Sequence, residues 1–391
     1  MDPRERLARI ALARTPGIGP RLFARLLDRF GSGEAALAAL PRLADLGRLP
    51  GVRPVAIEVA ARELERAEAQ GVRFVLRDGP GYPARLLHLD DPPPVLALAG
   101  DPGVLARRSV AVVGARNASA AGMTLAREIA RDLAAAGLCV ISGLARGIDA
   151  AAHEGALTVD GATLAVLACG LDVVYPPENA RLQERIRRHG LLLSERPLGA
   201  VPKARHFPAR NRLIAALAEL VLVVEAAERS GSLVTARFAA ELGREVAAVP
   251  GSPADARHRG TNRLLREGAH LVESAADVLA LLGDGPAPPA PRRPRQPQPD
   301  LPLEPWEDEE PPARPEDRSP RSEPAAGPAA GWDGSLAERL LALLGPDPVD
   351  FDELVRAAGA PADAVREALF ELELAGAVRW HSGDRIARGA G

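Results

Sequence analysis

Two neighbouring blocks of the sequence repeat one order of elements, and this repeat constrains the fold more than any other feature. Ser109–Gly122 and Val140–His153 each begin with a short apolar run, continue through small residues that include an arginine, and end in a helical pattern. A strand, a glycine-containing loop and a helix form the unit from which parallel α/β sheets are built. Because backbone N–H groups in such loops can hold a phosphate, the two blocks predict an anion-binding edge.

The same alternation extends over residues 71–284. Short strand-like segments recur there, and from the third onward they are nearly continuous apolar runs, typical of a parallel sheet covered on both faces. The predicted strands are Arg73–Leu76, Val95–Ala99, Val110–Val113, Leu138–Ser142, Thr163–Ala168, Leu191–Ser194, Leu220–Glu225, Glu245–Val249 and His270–Val272. We therefore expect an α/β fold with an extended Rossmann-like, doubly wound and mostly parallel sheet over these residues.

A small helical domain is predicted before this segment, over residues 1–70. Apolar residues recur there at helical spacing. The turn Thr15–Pro20, with a weaker echo at Leu49–Pro54, resembles a helix-hairpin-helix turn, whose N–H groups can contact a DNA phosphate. A plain tight turn between two helices is the alternative interpretation.

Two further segments follow the central domain. Residues 285–331 are rich in proline, which predicts a disordered linker. Residues 332–391 contain three helical patterns and then an alternating hairpin pattern, which indicates a winged-helix-like domain. Its third helix, Ala362–Ala375, is acidic and would repel phosphate, so a protein contact is at least as good an interpretation as DNA reading.

Composition and charge exclude several classes of protein. The 391 residues have a formal net charge of -3, so a nucleic-acid site must be a local patch. The two cysteines, Cys139 and Cys169, cannot form a zinc site or a disulfide framework, which fits a reducing cytosol. We find no signal-peptide core and no apolar run long enough for a membrane span, and we expect a cytoplasmic protein.

The two repeated blocks supply the first candidate binding residues. Neither block contains G-x-G-x-x-G or a P-loop, which argues against a dinucleotide site and an ATPase. The candidate phosphate ligands are Gly114, Arg116, Ser119, Ser142, Gly143, Arg146 and Gly147. Asp149 and His153 share a helical face and could act as an acid/base pair, but we favour a structural role because no nucleophile accompanies them.

A second set of candidates lies further along the chain. Lys203–Ala216 interleaves cations with an aromatic side chain, a combination that suits single-stranded nucleic acid because cations hold phosphates and rings stack on bases. A later serine- and glycine-containing segment begins a predicted helix whose N-terminus could hold an anion. These candidates are Lys203, Phe207, Arg210, Asn211, Arg212, Ser230, Gly231 and Ser232.

Five motifs, in this order, resemble the DprA (Smf) family of DNA-processing proteins. They are SGLARGID with AAH, GLDVVYPPEN, FPARNRLIA, SGSLVTA and RGTNRLLREGA, and the resemblance spans about Gly71 to Leu282. It implies a single-stranded DNA-binding protein that loads RecA recombinase during natural transformation. It also implies a homodimer formed through the Rossmann-like domain, with no catalysis, no cofactor and no metal. The family's Gly-Ser-Arg motif stands here as Gly114-Ala115-Arg116, and Ala209 dilutes its basic run.

Two alternatives remain at this point. Related Rossmann-like phosphoribohydrolases, which resemble so-called lysine decarboxylases, carry a catalytic glutamate three residues after the threonine of an anion-binding turn. The corresponding turn here ends at Thr235, and the position of the glutamate is occupied by Phe238, which argues against that activity. A winged-helix transcription factor with an α/β sensor domain is the other alternative, and the acidic third helix argues against it.

Overall fold

The computed structural model describes residues 1–283, 336–345, 349–360, 365, 368–369, 372, 377–381 and 385–388. The chain divides into two compact units, one on each side of a boundary near residue 306. The predicted linker lies outside the described residues, and so does most of the predicted third C-terminal helix with its acidic side chains.

Four helices precede the sheet. Two of them begin at a capping side chain: the carboxylate of Asp2 accepts from the N–H of Glu5, and the hydroxyl of Ser32 accepts from the N–H of Ala35. The helices are α1 (Pro3–Arg14), α2 (Pro20–Phe30), α3 (Gly33–Asp45) and α4 (Ile57–Ala69).

The two hairpin-like turns of this helical region lie against each other. The hydroxyl of Thr15 donates to the carbonyl of Ala11 and accepts from the N–H of Val55, at 2.9 and 3.1 Å. A Cβ added to Gly17 would lie 3.2 Å from Cγ2 of Val52. The turn after α1 is thereby packed on the turn before α4. Contact of these turns with DNA stays a prediction.

All the predicted strands of the central segment are present, and they form a single nine-stranded sheet. The strands are β1 (Arg73–Leu76), β2 (Val95–Gly100), β3 (Ser109–Val113), β4 (Cys139–Ser142), β5 (Thr163–Val166), β6 (Leu191–Ser194), β7 (Leu220–Val223), β8 (Glu245–Ala248) and β9 (His270–Leu271). The helices between and after them are α5 (Ala120–Ala135), α6 (Ile148–Leu157), α7 (Ala180–His189), α8 (His206–Leu217), α9 (Ser232–Glu241), α10 (Arg259–Arg266) and α11 (Ala275–Leu282).

The strand order is β1-β2-β6-β5-β4-β3-β7-β8-β9. Strands β3 to β9 are parallel to one another, whereas β2 pairs antiparallel with both β1 and β6. From β3 the chain builds the sheet outward through β4, β5 and β6, and then crosses to the other side of β3 for β7, β8 and β9. The order therefore reverses between β3 and β7, at a topological switch point.

Both faces of the sheet are covered, as the apolar runs predict. Every residue of β3, β4, β5, β6 and β7 is buried. The N-terminal helices belong to one of these cores, because Leu12, Phe23 and Leu40 lie in the same apolar cluster as Phe74 and Leu192. None of the described helices is long and apolar enough to cross a membrane.

The C-terminal unit is a small separate body. Its apolar core includes Leu340, Phe351, Leu354 and Ile386. Its three strands form an antiparallel sheet in the order β10-β12-β11, which includes the predicted hairpin. The described elements are α12 (Leu336–Leu343), β10 (Val349–Asp350), α13 (Phe351–Ala358), β11 (Val378–His381) and β12 (Arg385–Arg388).

One glycine controls how the loop after β4 enters α6. Gly147 has φ 75° and ψ -125°, a region that L side chains avoid. A Cβ there would also lie 2.8 Å from the carbonyl oxygen of Arg116 and would collide with that of Ala115. We expect Gly147→Ala to lower the free energy of unfolding by about 3 kcal/mol or more.

The matched control is Gly137→Ala. Gly137 also has a positive φ, 88°, but its added Cβ would meet nothing within 4 Å. Gly137→Ala should lower the free energy of unfolding only through backbone strain, by about 1 kcal/mol. Urea unfolding of both variants measures the difference in free energy of unfolding. Equal losses of this free energy would show that close packing against the loop of Ala115 and Arg116 does not contribute to stability.

Candidate nucleic-acid interface

The predicted binding residues converge on the carboxyl edge of the sheet. The loops after β4, β3 and β7 are neighbours there because their strands are neighbours. These loops contain the candidates of residues 114–119, 142–147 and 230–232, and the loop after β6 leads to Lys203 and α8. The carboxyl edge at a switch point is where open α/β sheets bind ligands.

A buried glutamate occupies the N-terminus of α5, in the first of these loops. Glu225, which is 1% exposed, extends from the end of β7. Its carboxylate accepts from the N–H of Ser119 at 2.9 Å and also from the Ser119 hydroxyl. Its backbone carbonyl accepts from the N–H of Ala115 at 2.7 Å. The N–H of Ser119, a predicted phosphate ligand, and the N–H of Ala115 beside it therefore have internal partners.

The second loop is held by Asp149 in the same way. The carboxylate of Asp149, which is 6% exposed, accepts from the N–H groups of Gly143 and Ala145 at 3.1 and 3.4 Å. Burial raises the pKa of this carboxyl, while Arg210 and the two N–H groups act in the opposite direction. The hydroxyl of Ser142 donates to the carbonyl of Val112 at 2.7 Å.

Two glycines of these loops are required by packing inside the protein. A Cβ on Gly114 would lie 2.6 Å from Cγ1 of Ile148, and a Cβ on Gly143 would collide with the guanidinium of Arg210. Gly114 and Gly143 thus have a packing role, and Ser142, the N–H of Gly143 and the N–H of Ser119 have internal partners. Contact of these residues with a phosphate stays a prediction.

The structural interpretation of the Asp–His pair agrees with the packing. His153 is fully buried, and its Nδ1 lies 2.7 Å from the hydroxyl of Thr163. Burial, together with the nearby Arg210 guanidinium, lowers the pKa of His153 to about 3. Burial also raises the pKa of the Cys169 thiol to about 11. These groups therefore offer neither an accessible base nor a thiolate nucleophile at neutral pH.

The predicted DNA-binding segment of α8 divides into buried and exposed parts. Arg210 is 5% exposed, and its guanidinium donates to the carbonyls of Gly143 and Val166 at 2.6 and 2.5 Å. Asn211 accepts from Nε of Arg210 and donates to the carbonyl of Gly231 at 3.2 Å. Both side chains are buried and connect the ends of strands to the loops that follow them through hydrogen bonds.

Arg212 is also committed to an internal ion pair. It is 8% exposed and lies 2.6 Å from the carboxylate of Glu195 and 3.5 Å from that of Asp91. A direct phosphate contact would require breaking these pairs. All three side chains are buried because α8 is covered on every side from Arg210 to Leu217. Contact of Arg210, Asn211 and Arg212 with DNA stays a prediction, and the structure gives each of them an internal partner instead.

Four side chains instead form a cationic and aromatic surface, in which Phe207 is half-buried and the other three are exposed. Arg116 places its Cζ 4.7 Å from the ring centroid of Phe207. The ring of Tyr175, which is 37% exposed, lies 5.8 Å from that of Phe207 at 53°. Lys203, just before α8, is exposed. We call Arg116, Tyr175, Lys203 and Phe207 the edge surface.

The cations of the edge surface are available for a ligand. Among the described residues, no carboxylate lies within 4 Å of Arg116 or Lys203. Arg146 is 62% exposed and makes only a long contact, 3.7 Å, with the carboxylate of Glu178. An exposed pair at that distance contributes little, so Arg146 can exchange Glu178 for a phosphate at low cost.

The serine-rich turn before α9 borders the same edge. The hydroxyls of Ser230 and Ser232 lie 2.7 Å apart, and Ser232 is buried. Gly231 is exposed, and a Cβ there would meet nothing within 4 Å. The turn thus has open space in front of it, and its contact with an anion stays a prediction.

Sequence reasoning missed three contributors to this edge. Tyr175 lies in one of the motifs quoted above and is one of only two tyrosines, which was a usable signal. Arg229 is exposed in the loop after β7, beside the serine turn. Glu225 could not have been found from sequence, because only the crossing of β7 beside β3 brings it to Ser119.

Cavities and metal ligands do not add to this site. In the described part of the chain, no group of three or more His, Cys, Asp or Glu side chains could hold a metal ion. A cavity of about 660 Å³ lies beside β8 and β9, lined by Arg237, Arg244, Arg263 and His270 among others. None of its lining residues belongs to the edge surface.

Three family models match the chain in succession. DprA-like N-terminal HHH domain matches residues 3–66, DNA recombination-mediator protein A matches residues 73–283, and DprA winged helix domain matches residues 319–384. The central match alone covers more than half of the chain, and it includes the whole nine-stranded sheet.

Relatives agree with these matches. Protein Smf of Synechocystis is 34% identical over 97% of this chain and 98% of its own length. DNA processing protein DprA of Streptococcus pneumoniae is 47% identical over 51% of this chain and 70% of its own length. The X-ray structure of the Streptococcus pneumoniae DprA aligns with a TM-score of 0.58 and 34% identity, covering 72% of this chain and 98% of that chain.

The agreement extends from the helical N-terminus through the sheet to the winged helix. The α/β architecture, the motifs at the carboxyl edge and the full-length similarity all indicate one family. The chain belongs to the DNA recombination-mediator protein A family, the DprA/Smf proteins.

Proposed function

We propose that the edge surface binds single-stranded DNA. The observation that carries the proposal is the contact of Phe207 with both Arg116 and Tyr175, in the segment that begins with the exposed Lys203. Cations that lie next to exposed rings can neutralise phosphates while the rings stack on bases. A duplex keeps its bases stacked and hidden, so this combination favours a single strand.

The distribution of charge supports a local site. The chain carries a net charge of -3, so no general attraction draws it to polyanions. Arg116, Arg146, Lys203 and Arg229 gather exposed positive charge at one edge of the sheet. A strand lying along this edge would cross the ends of neighbouring β-strands, with Ser230 and Gly231 at its margin.

We further propose that the bound strand is a substrate for RecA loading in the cytoplasm, during natural transformation. Membership of a DNA recombination-mediator family supports this role. A mediator must bind a strand and then release it to the recombinase, so an open face suits this role better than a closed pocket.

A homodimer through the α/β domain is part of the proposal. Strand β9 ends the nine-stranded sheet, and both of its residues are exposed; Leu271 is 56% exposed. An exposed apolar residue on an edge strand is a common feature of association surfaces. Two copies paired there would extend the length of DNA that one assembly can hold.

We propose no catalytic role and no cofactor. The DNA recombination-mediator protein A family is not known as a family of enzymes. Phe238 lies half-buried on α9, where the related phosphoribohydrolases would need a glutamate. The buried histidine and cysteine beside the edge lack the accessibility that acid–base or nucleophilic chemistry requires.

The first prediction concerns the cations. Arg116→Ala and Lys203→Ala should each weaken binding of an oligo-dT by about tenfold, because each removes a charge-assisted contact with phosphate. Each should also reduce the slope of log K against log salt by about 0.7. Fluorescence anisotropy at several salt concentrations measures both effects.

Arg131→Ala is the matched control for this experiment. Arg131 lies in the last turns of α5, away from the carboxyl edge, and is 49% exposed beside Asp132. Its loss changes the net charge equally and should leave affinity within about twofold. Binding that falls equally in all three variants would indicate a non-specific charge effect and overturn the assignment of the site.

The second prediction separates stacking from charge. Phe207→Leu and Tyr175→Leu should weaken oligo-dT binding by about tenfold through lost stacking on bases. The salt dependence should stay that of the wild type, since no phosphate contact is removed. Unchanged affinity in both variants would show that the two rings do not contact the bound strand.

The third prediction tests the mediator role. The protein should speed RecA assembly on strands already coated by single-strand-binding protein, measured by strand exchange. Arg116→Ala combined with Lys203→Ala should abolish the stimulation, because the strand is no longer held. Stimulation that survives this double variant would show that loading does not depend on the edge surface.

A further inference from the structure

The N-terminus of α5 occupies a distinctive place in the fold. It follows β3, the strand from which the sheet is built in both directions. In open α/β sheets, the helix that starts here points its free N–H groups and its positive dipole end at the phosphate of a bound nucleotide. The question is why this crevice should not also bind mononucleotides.

Glu225 supplies the anion that this position attracts. Its two carboxylate oxygens accept from the N–H and the hydroxyl of Ser119, the N-cap residue of α5. The same hydroxyl accepts from the N–H of Gly122 at 2.9 Å. The negative charge thus lies at the positive end of the helix dipole, where a nucleotide phosphate would otherwise lie.

The surroundings are shaped to fit this carboxylate. A Cβ on Gly122 would collide with the carboxylate of Glu225, so a larger residue in the first turn of α5 would displace it. His258, from the segment after β8, lies with its Nε2 3.8 Å from the same carboxylate. Its ring packs on Gly251, where a Cβ could not be accommodated. The carboxylate is therefore sealed from solvent, at 1% exposure for Glu225.

The neighbouring loop repeats the arrangement independently. Asp149 accepts from the N–H groups of Gly143 and Ala145 within the loop after β4. Each of the two repeated blocks therefore holds an internal carboxylate against N–H groups that could otherwise bind phosphate. Because two separate loops show the same contact between a buried carboxylate and backbone N–H groups, a single chance contact does not explain it.

We infer that Glu225 is a built-in replacement for a phosphate, which closes the switch-point crevice to mononucleotides. The protein is thereby restricted to phosphates that stay outside the crevice, such as those of a polymer lying on the edge surface. The inference concerns the interior of the crevice and holds whether or not the edge surface binds DNA.

Removing the carboxylate tests this directly. In Glu225→Ala, the space and the donors of Ser119 become free, so the full-length variant should be destabilised and rescued by small anions. Sodium formate or sodium phosphate should raise its Tm by about 2 °C or more above sodium chloride of equal ionic strength. The wild type should show no such difference, because its site is already filled.

Two further variants make the test specific. Glu225→Gln keeps the volume of the side chain without its charge, so it should be destabilised but not rescued. Glu241→Ala removes an exposed glutamate of α9 and should behave as the wild type in every salt. If Glu225→Ala folds and responds to formate and phosphate only as it does to chloride, the inference is wrong.

If Glu225→Ala is recovered only unfolded, refolding provides the readout. Recovery of folded protein in formate but not in chloride supports the inference, and equal yields in both salts overturn it. Equilibrium dialysis with AMP is a second measurement: the wild type should bind none at 1 mM ligand, a concentration chosen as about the weakest Kd typical of a metabolite site. If the wild type binds AMP and oligo-dT does not displace it, a nucleotide occupies the crevice and the inference is wrong.

The same samples distinguish this inference from the proposed function. If formate and phosphate do not raise the Tm of Glu225→Ala while the wild type binds oligo-dT normally, only the role of Glu225 is contradicted. Failure of the wild type to bind oligo-dT, with anion rescue present, would contradict only the DNA site.

Discussion

The structure depends on the way in which the carboxyl end of β7 is joined to the loop after β3. The backbone carbonyl of Glu225 binds the N–H of Ala115, and its side chain caps α5 through Ser119. These contacts fix the two strands at which the sheet reverses its order. Because the N–H groups are satisfied internally, the edge presents side chains to solvent, and the exposed cations then determine what can bind.

Arginine serves two different purposes in this edge. Arg210 uses its planar fork to hold two strand-end carbonyls, and Arg212 uses its fork to hold two carboxylates. Such buried, multidentate contacts suit a guanidinium better than an ammonium. Arg116 is itself exposed and lies over the half-buried ring of Phe207, with no carboxylate nearby among the described residues, and Lys203, the only lysine, is exposed. Nearby residues of the same type thus have structural or ligand-facing roles according to burial.

Much of the fold could be predicted from local patterns. The strands were located because parallel strands buried on both faces are continuous apolar runs, and α2 was found from its helical spacing. The parallel direction of β3 to β9 followed from the helices between them. The antiparallel pairing of β2 with β6 was not predicted, because it joins strands far apart in sequence and leaves no local signal.

The sequence by itself determined the fold class, the family motifs and the concentration of arginine, glycine and aromatic residues at loops after strands. Periodicity and residue type are local properties, and they suffice for these conclusions. Only the tertiary structure decided which of those residues face outward. Arg210 and Arg212 became internal because α8 packs against the sheet, Arg116 and Tyr175 became neighbours of Phe207 because three loops meet, and the predicted phosphate cradles were filled because β7 brings Glu225 beside β3. These outcomes depend on contacts between distant segments, which no pattern along the chain contains.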